Sequence, residues 1–274
     1  MDERKYKANY VVTLKNINFR YSGEKGGVTA LQDINLGIKE GEFLCVLGPS
    51  GCGKSTLLKI IAGFLQSSAG EARMDNEPIH GPDWHRGVIF QSPTLYPWLN
   101  VQDNIGFGLK MRKFPQNEIE ELTNRYFELV GLKGFERHKP YELSGGMKQR
   151  ASLARILVNK PRMLLMDEPF GSLDSLTRQN MQTLIREIWT KTENTVFLIT
   201  HDVDEALALA TRIIVMSSRP GRILKEFQTS FTYQISGVGH EKARYKPEYM
   251  EIREEILNII NSQSEALKFS SPER

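Results

Sequence analysis

Gly48-Pro49-Ser50-Gly51-Cys52-Gly53-Lys54-Ser55 follows the apolar run Glu42-Phe-Leu-Cys-Val-Leu47 and precedes Thr56-Leu-Leu-Lys-Ile-Ile-Ala62, a helix-forming run that Gly63 can end. Strand, glycine loop, Lys-Ser and helix, in that order, make a phosphate-binding P-loop in its required context. Gly48, Gly51 and Gly53 let the backbone curl close to an anion with no Cβ in the way, so successive amides point inward. A helix starting near Lys54 adds its positive dipole end. Lys54 supplies a mobile cation for β- and γ-phosphates, and the Ser55 hydroxyl can ligate Mg2+. A chance match in a chain of this length is of order 1%, and the correct flanks lower it further. The stretch predicts nucleotide binding and names no reaction.

Composition narrows the classes around that loop. The 274 residues are 40% apolar and 25% charged, as in a soluble globular protein with one large domain or a domain and a subdomain. A net charge of +3 with no basic block gives no reason to expect nucleic acid as a partner. No apolar run approaches a membrane span, and the start, Met-Asp-Glu-Arg-Lys, is not a signal peptide. Two cysteines fit a reducing compartment. Cys45 reads as core. Cys52 lies beside a helix N-terminus, where the field favours thiolate. It is either a spacer contributing its amide or a thiol whose alkylation blocks nucleotide binding.

The chain before the loop carries two predicted strands, Val11 to Tyr21 and about Ala30 to Ile38, and Glu40-Gly41 turns it into the strand that feeds the loop. Such short connections predict antiparallel pairing among these early strands. Tyr21 is a candidate platform for a base, with Phe19 its rival on the same face, and a half-buried edge aromatic is the other reading. Two short strands follow the loop helix, around residues 70–75 and 86–91, and Gln91 closes the second with a carboxamide that can reach a metal or a water.

From Ser92 to about Lys160 the pattern is helical and strand-free, which predicts a subdomain inserted into a sheet-based core. Asn100-x-x-Asp103 reads as a helix cap. Ile119, Leu122, Tyr126, Leu129 and Val130 keep one helical face apolar until Gly131. Leu95, Tyr96, Pro97 and Trp98 are apolar on an expected loop and offer either a docking patch or internal packing. Leu143-Ser144-Gly145-Gly146-Met147 opens another helix, with Ser144 as cap and the glycines baring the first amides: a second anion site in one chain. The strand Arg162-Met-Leu-Leu-Met ends in Asp167-Glu168, where one carboxylate can hold Mg2+ and its neighbour polarise a water, or both simply cap the strand. Gly171-Ser-Leu-Asp174 and a further strand ending in His201-Asp202 follow. Alternation of this kind predicts an α/β fold whose ligand sits at the carboxyl ends of a mostly parallel sheet. From about Thr229 the alternation fades; residues 246–260 read as one amphipathic helix with Tyr249, Ile252, Ile256 and Ile259 or Ile260 inward, and the last five residues as disordered.

The P-loop, Gln91, Leu-Ser-Gly-Gly-Met, Met-Asp-Glu-Pro, Ser-Leu-Asp174 and His201 occur in the order of an ABC-transporter ATPase subunit, and residues 11–227 resemble that family. Residues 86–91, 97–105 and 218–222 look most like its nitrate/sulfonate/taurine importer branch. The resemblance implies a P-loop NTPase fold: a RecA-like, mostly parallel sheet with an antiparallel β subdomain and an inserted helical subdomain. The ATP-binding domain would be residues 1–228, the insert about 92–160, and 229–274 a C-terminal extension with no regulatory domain. It implies Mg2+ held by Ser55, Gln91 and Asp167, and ATP held by residues 48–56 (Thr56 included) with Tyr21 stacked on adenine. Glu168 would polarise the attacking water, Gln91 would link the metal to transport, and His201 would contact the γ-phosphate. A second copy packed head to tail would close Ser144, Gly145 and Gly146 over that ATP, with Asp174 at the seam. Separate permease subunits docking near Leu95 to Trp98, an indirect solute-binding protein and a place on the cytoplasmic face of the cell membrane complete the expectation. The rival is a soluble ABC-type ATPase not coupled to transport.

Overall fold

The computed structural model describes residues 10–23, 26–192, 194–234 and 245–270. The expectations for the first five residues and for residues 271–274 lie outside them. In chain order the elements are β1 (Tyr10–Tyr21), β2 (Val28–Lys39), β3 (Phe43–Leu47), α1 (Lys54–Ala62), β4 (Ala69–Met74), β5 (Glu77–Pro78), β6 (Arg86–Ile89) and α2 (Val101–Met111). Then come α3 (Gln116–Leu129), α4 (Gly145–Leu157), β7 (Met163–Asp167), α5 (Ser175–Thr192), β8 (Thr195–Ile199), α6 (Val203–Leu209), β9 (Arg212–Met216), β10 (Ile223–Gln228), α7 (Phe231–Gln234) and α8 (Pro247–Ser270). Two compact units divide them. One takes the chain up to Pro82 and from Thr192 onward, the other Asp83 to Lys191.

In the first unit, β2-β1-β4-β5 form an antiparallel sheet. Val12, Leu14, Ile17 and Phe19 are the buried side of β1. The alternation slips between Leu14 and Ile17, where the register shifts and Asn16 takes a left-handed conformation, φ 51°. Asparagine tolerates that region because its side chain bonds locally, and Asn18 Nδ2 donates to the Asn16 carbonyl beside it. The expectation that the early strands all pair antiparallel holds for β1 and β2 and fails for β3. β3 leaves them to lie parallel between β8 and β9. The reason is legible in its side chains. All five residues of β3 are buried, so both faces need cover, which is the situation of a central parallel strand. Gly41 at φ 70° makes the sharp exit that a three-residue connection needs. β10 closes this sheet antiparallel to β9.

A buried cation holds the sheet's lower edge. Arg212, at the start of β9, pairs with Glu42 (Nε to Oε1 2.7 Å) and Glu226 (Nη1 to Oε2 3.0 Å). Its Nη2 also donates to the Gly37 carbonyl. A guanidinium this buried needs such partners, since desolvation alone would make it costly. α8 packs on α6 and β9 through Tyr249 and Ile256, both fully buried, while Ile252, Ile259 and Ile260 are half-buried.

In the second unit β6 and β7 pair in parallel, and α2, α3 and α4 share a core of Val101, Ile105, Leu109, Phe127, Val130, Ala151, Ala154 and Val158. Asn100 caps α2 by accepting the Asp103 amide at 2.7 Å, where the sequence placed a cap. The inward face of α3 is centred one step away from the expected one. Phe127 and Thr123 are buried, while Ile119, Leu122 and Tyr126 are only partly so. Thr123 passes as apolar because its hydroxyl donates to the Ile119 carbonyl, 2.5 Å away, one turn back. No helix among the described residues is long and apolar enough to cross a membrane.

Candidate nucleotide site

β3 delivers the chain to the carboxyl edge of its sheet. The register puts Val46 beside Ile199 and Leu47 beside Val215, so the loop at 48–53, His201 after β8 and Ser217 after β9 all leave from one edge. The loop's geometry depends on glycine at two places. Gly53 has φ 106°, and a Cβ there would lie 2.7 Å from Leu31 Cδ2 and 2.8 Å from the Ala30 carbonyl oxygen. Gly51 has φ 75°. α1 then begins at Lys54 with no side chain capping its N-terminus and no acidic residue in its first turn. Its first turn therefore presents a positive end that no side chain of its own neutralises, which suits an anion. At the other end Gly63, at φ 82°, bonds back to Ile60 and stops the helix.

Lys54 is buried and its Nζ donates to the Gly48 and Pro49 carbonyls at 2.8 and 3.0 Å. Those bonds hold the cation inside the loop's curve. Cys52 corrects the expectation of a thiolate. It is buried, and burial pushes its thiol up from the ordinary range against the opposing pull of Lys54, whose Nζ is 3.9 Å from Sγ. Desolvation outweighs the neighbouring charge. The thiol form persists to higher pH than in a free cysteine, so alkylation by iodoacetamide at pH 8 should be slower than for an exposed thiol and should accelerate as pH rises further. Intact-mass time courses at two pH values check this; modification as fast as glutathione's would contradict the burial.

Tyr21 and Phe19 part company. Phe19 is buried; Tyr21 is 42% exposed, edge-on to Phe19 with ring centroids 4.8 Å apart. The Tyr21 hydroxyl lies 3.0 Å from Thr56 Oγ1, which ties the aromatic to the first turn of α1. Of the two candidates, only Tyr21 offers a ring face at the loop. His201 is exposed, and its neighbour Asp202 caps α6 by accepting the Glu205 amide at 3.1 Å.

The second unit carries the other predicted residues. β6 ends at Ile89, paired with Met166, so Gln91 and Asp167-Glu168 leave their strands at one edge. Glu168 takes a left-handed conformation, φ 46°, unusual for a non-glycine and costing about 1–3 kcal/mol. The turn is over-determined by its neighbours. Gly171 N donates to the Glu168 carbonyl at 3.2 Å, and Phe170 is buried. A Cβ on Gly171 would meet Gln91 Nε2 at 3.6 Å and Glu168 Oε2 at 4.0 Å, so the carboxamide and the carboxylate converge there.

Ser144 caps α4 by accepting the Met147 amide at 3.3 Å, and α4 has no acidic residue in its first turn. The two glycines do different work. A Cβ on Gly145 would meet nothing within 4 Å, whereas one on Gly146 would lie 2.5 Å from Thr177 Cγ2. Thr177 in turn donates its amide and hydroxyl to Asp174, at 2.9 and 2.7 Å, and those bonds hold the Asp174 carboxyl below its usual range. The structure thus joins the glycine helix start and the Asp174 turn through one threonine that the sequence reading did not single out.

Asn104 was missed as well. It is fully buried, accepts the Tyr96 amide at 2.7 Å and donates to the carbonyls of Tyr96, Leu99 and Asn100. The helical spacing of an apolar stripe hides such a residue; its only signal is an amide in a buried register. It fixes the loop that holds Leu95 to Trp98, where internal packing accounts for part of the stretch. Leu95 packs on the helical core and Tyr96 lies under Arg155 at 4.1 Å, while Trp98 stays 69% exposed.

A nucleoside triphosphate with Mg2+ fits the chemistry of these donors. α1 and α4 each begin without an acid, and Ser55, Gln91 and Asp167 all offer hard oxygens of the kind magnesium takes. Comparison with known proteins identifies the family. The family model described as ABC transporter matches residues 31–171. The taurine import ATP-binding protein TauB of Jannaschia sp. is 44% identical over 257 residues, 93% of this chain and 96% of the relative. Its Escherichia coli namesake is 43% identical over 242 residues, 88% and 95% respectively. Among solved structures, a dimeric ATP-binding cassette in a post-hydrolysis state with ADP and Pi has a TM-score of 0.71 at 32% identity, over 80% of this chain and 99% of that one.

Proposed function

Since the chain belongs to the ATP-binding subunits of the ABC transporter family, and so is an ATPase, we propose that it drives import of a small solute of the taurine, sulfonate or nitrate kind through separate membrane subunits. Two copies would pack head to tail around two Mg-ATP. The loop of residues 48–56 and Tyr21 hold the nucleotide, and Ser55, Gln91 and Asp167 hold the metal. Magnesium, when bound, would supply charge neutralisation at the β- and γ-phosphate oxygens. Lys54 adds a cation from the chain, His201 donates toward the γ-phosphate, and Glu168 accepts the proton of the attacking water. Gln91, next to Glu168, passes the state of the site to the membrane partners. Ser144, Gly145 and Gly146 of one copy meet the ATP of the other, with Asp174 at the seam.

One observation carries this reading: two helices, α1 after Gly51-Cys52-Gly53 and α4 at Gly145-Gly146, begin on glycines with no acid in their first turn. One triphosphate gripped by one P-loop leaves the second without a ligand, and a second copy supplies it. That a 32% identical cassette with ADP and Pi is dimeric supports pairing of two copies. Identity to taurine importers over nearly the whole length supports the solute class. Trp98, exposed on a loop pinned by Asn104, supports the Leu95 to Trp98 stretch as the permease-docking patch, and on this reading the chain works at the cytoplasmic face of the cell membrane.

The test is reconstitution. The chain, co-purified with its membrane subunits and placed in liposomes with a solute-binding protein, should accumulate labelled taurine only when ATP is supplied on its own side. Vigorous hydrolysis with no co-purifying membrane protein would favour the soluble ATPase instead.

A further inference from the structure

Resting on the reading of residues 48–55 as a phosphate loop, we propose that Arg219 is a positioning residue for that loop, and that the C-terminal helix α8 holds it in place through Gln263. The Arg219 Nε donates to the Gly51 carbonyl at 3.2 Å. The peptide that follows Gly51 therefore has its oxygen drawn toward Arg219. Its N–H, that of Cys52, donates to the Pro49 carbonyl at 3.3 Å, so the peptide is bonded at both ends. A flip of this peptide would break both bonds and put the Gly51 carbonyl where the Cys52 N–H had been, which would spoil a loop of inward amides. Gly51, at φ 75°, is the least crowded glycine of the loop, since a Cβ there would meet only Arg219 Nη2 at 3.4 Å, and so the place where an outside tether matters most.

The segment carrying Arg219 is built as a rigid abutment. Ser217 N donates to the Arg222 carbonyl at 2.9 Å, and Arg222 N returns a bond to Ser217 Oγ at 2.9 Å. Gly221 N donates to Ala30 O and Gln32 N to Gly221 O, at 2.9 and 3.0 Å, which stitches the segment to β2. Gly221 also sits hard against the loop: a Cβ there would fall 2.0 Å from the Cys52 carbonyl oxygen. Ser217 Oγ holds the Ser218 carbonyl at 2.9 Å, and α8 takes the other groups of Ser218. Gln263 Oε1 accepts both the Ser218 amide, at 3.2 Å, and its hydroxyl, at 3.3 Å. α8 is itself anchored beside the His201 turn, because Asp204 accepts Tyr249 Oη at 3.0 Å and Arg253 Nε at 2.9 Å. The extension thus braces the P-loop from outside, in a chain from Gln263 through Ser218 and Arg219 to Gly51.

Titration of full-length variants with a fluorescent ADP analogue tests this without reference to turnover. Arg219→Ala should raise the ADP Kd about threefold to tenfold, the net worth of one hydrogen bond, and Arg219→Lys should recover part of the loss. Gln263→Ala should weaken binding in the same direction by less. Gln263→Glu, which keeps the accepting oxygen, should bind as the parent does. Urea midpoints of all four should match the parent's. ADP binding at parental affinity by Arg219→Ala, with Lys54→Ala deficient, would overturn the positioning role alone. Parental binding by Lys54→Ala as well would bring down the phosphate-loop reading beneath it. Equal losses in Gln263→Ala and Gln263→Glu would sever α8 from the loop.

Discussion

Glu168→Gln is expected to bind Mg-ATP about as well as the parent and to hydrolyse it roughly 10²–10⁴ times more slowly, the usual cost of losing a positioned general base. The amide is nearly the same size and can still hydrogen-bond, yet it cannot take a proton from water at neutral pH. The backbone argues for the role as much as the side chain does. Glu168 sits at φ 46° directly after β7, held by the Gly171 amide and the buried Phe170. A strained turn kept at the tip of a buried strand, with its carboxylate converging on Gln91, suits a group that must be aimed. Equilibrium binding of a fluorescent ATP analogue and single-turnover hydrolysis separate affinity from chemistry. Near-parental turnover would remove Glu168 from the role of base.

Ser144→Arg is expected to abolish hydrolysis in the homodimer while sparing the grip of each P-loop on its nucleotide. Loss of the cap costs α4 about 0.5–2 kcal/mol, so Ser144→Ala serves as the control for helix fraying alone. The larger loss comes from placing a long cation where small residues and bare amides should face a phosphate; removing such preorganised donors typically costs about 10²–10³ in rate. In dimers carrying the substitution on one protomer only, the damage should appear at the nucleotide held by the other protomer's P-loop. Damage confined to the mutant's own nucleotide would contradict the head-to-tail packing.

Much of this was legible in the residue order because the chemistry leaves little choice. A loop that wraps phosphate needs Gly53, and a helix that bares its amides needs Ser144 with glycines behind it. Each of these leaves a mark a few residues long. What escaped reading depends on partners distant in the chain. β3 appears continuous with β1 and β2 across a tight turn, yet burial on both faces sends it to β8 and β9, some 150 residues away. Cys52 reads as activated from its neighbours in sequence, but the packing around Gly48 and Lys54 buries it and reverses the balance. The local pattern around Asn104, Thr177 and Arg219 does not say what each one holds. Each acts by bonding to backbone or side-chain groups that only the fold brings near.

The central claim is that neither copy holds a complete site: the loop at 48–55 needs the Ser144 helix start of another. Mixing two inactive variants, Lys54→Ala and Ser144→Arg, tests it most directly. In a head-to-tail mixed dimer the intact loop of the Ser144→Arg protomer faces the intact Ser144 of the Lys54→Ala protomer, so one whole site is restored. Both faults fall together in the other site. ATPase activity should therefore rise on mixing, in proportion to the mixed dimers formed. Should the mixture stay as inactive as its components while mixed dimers are shown to form, each copy completes its own site and the account is wrong.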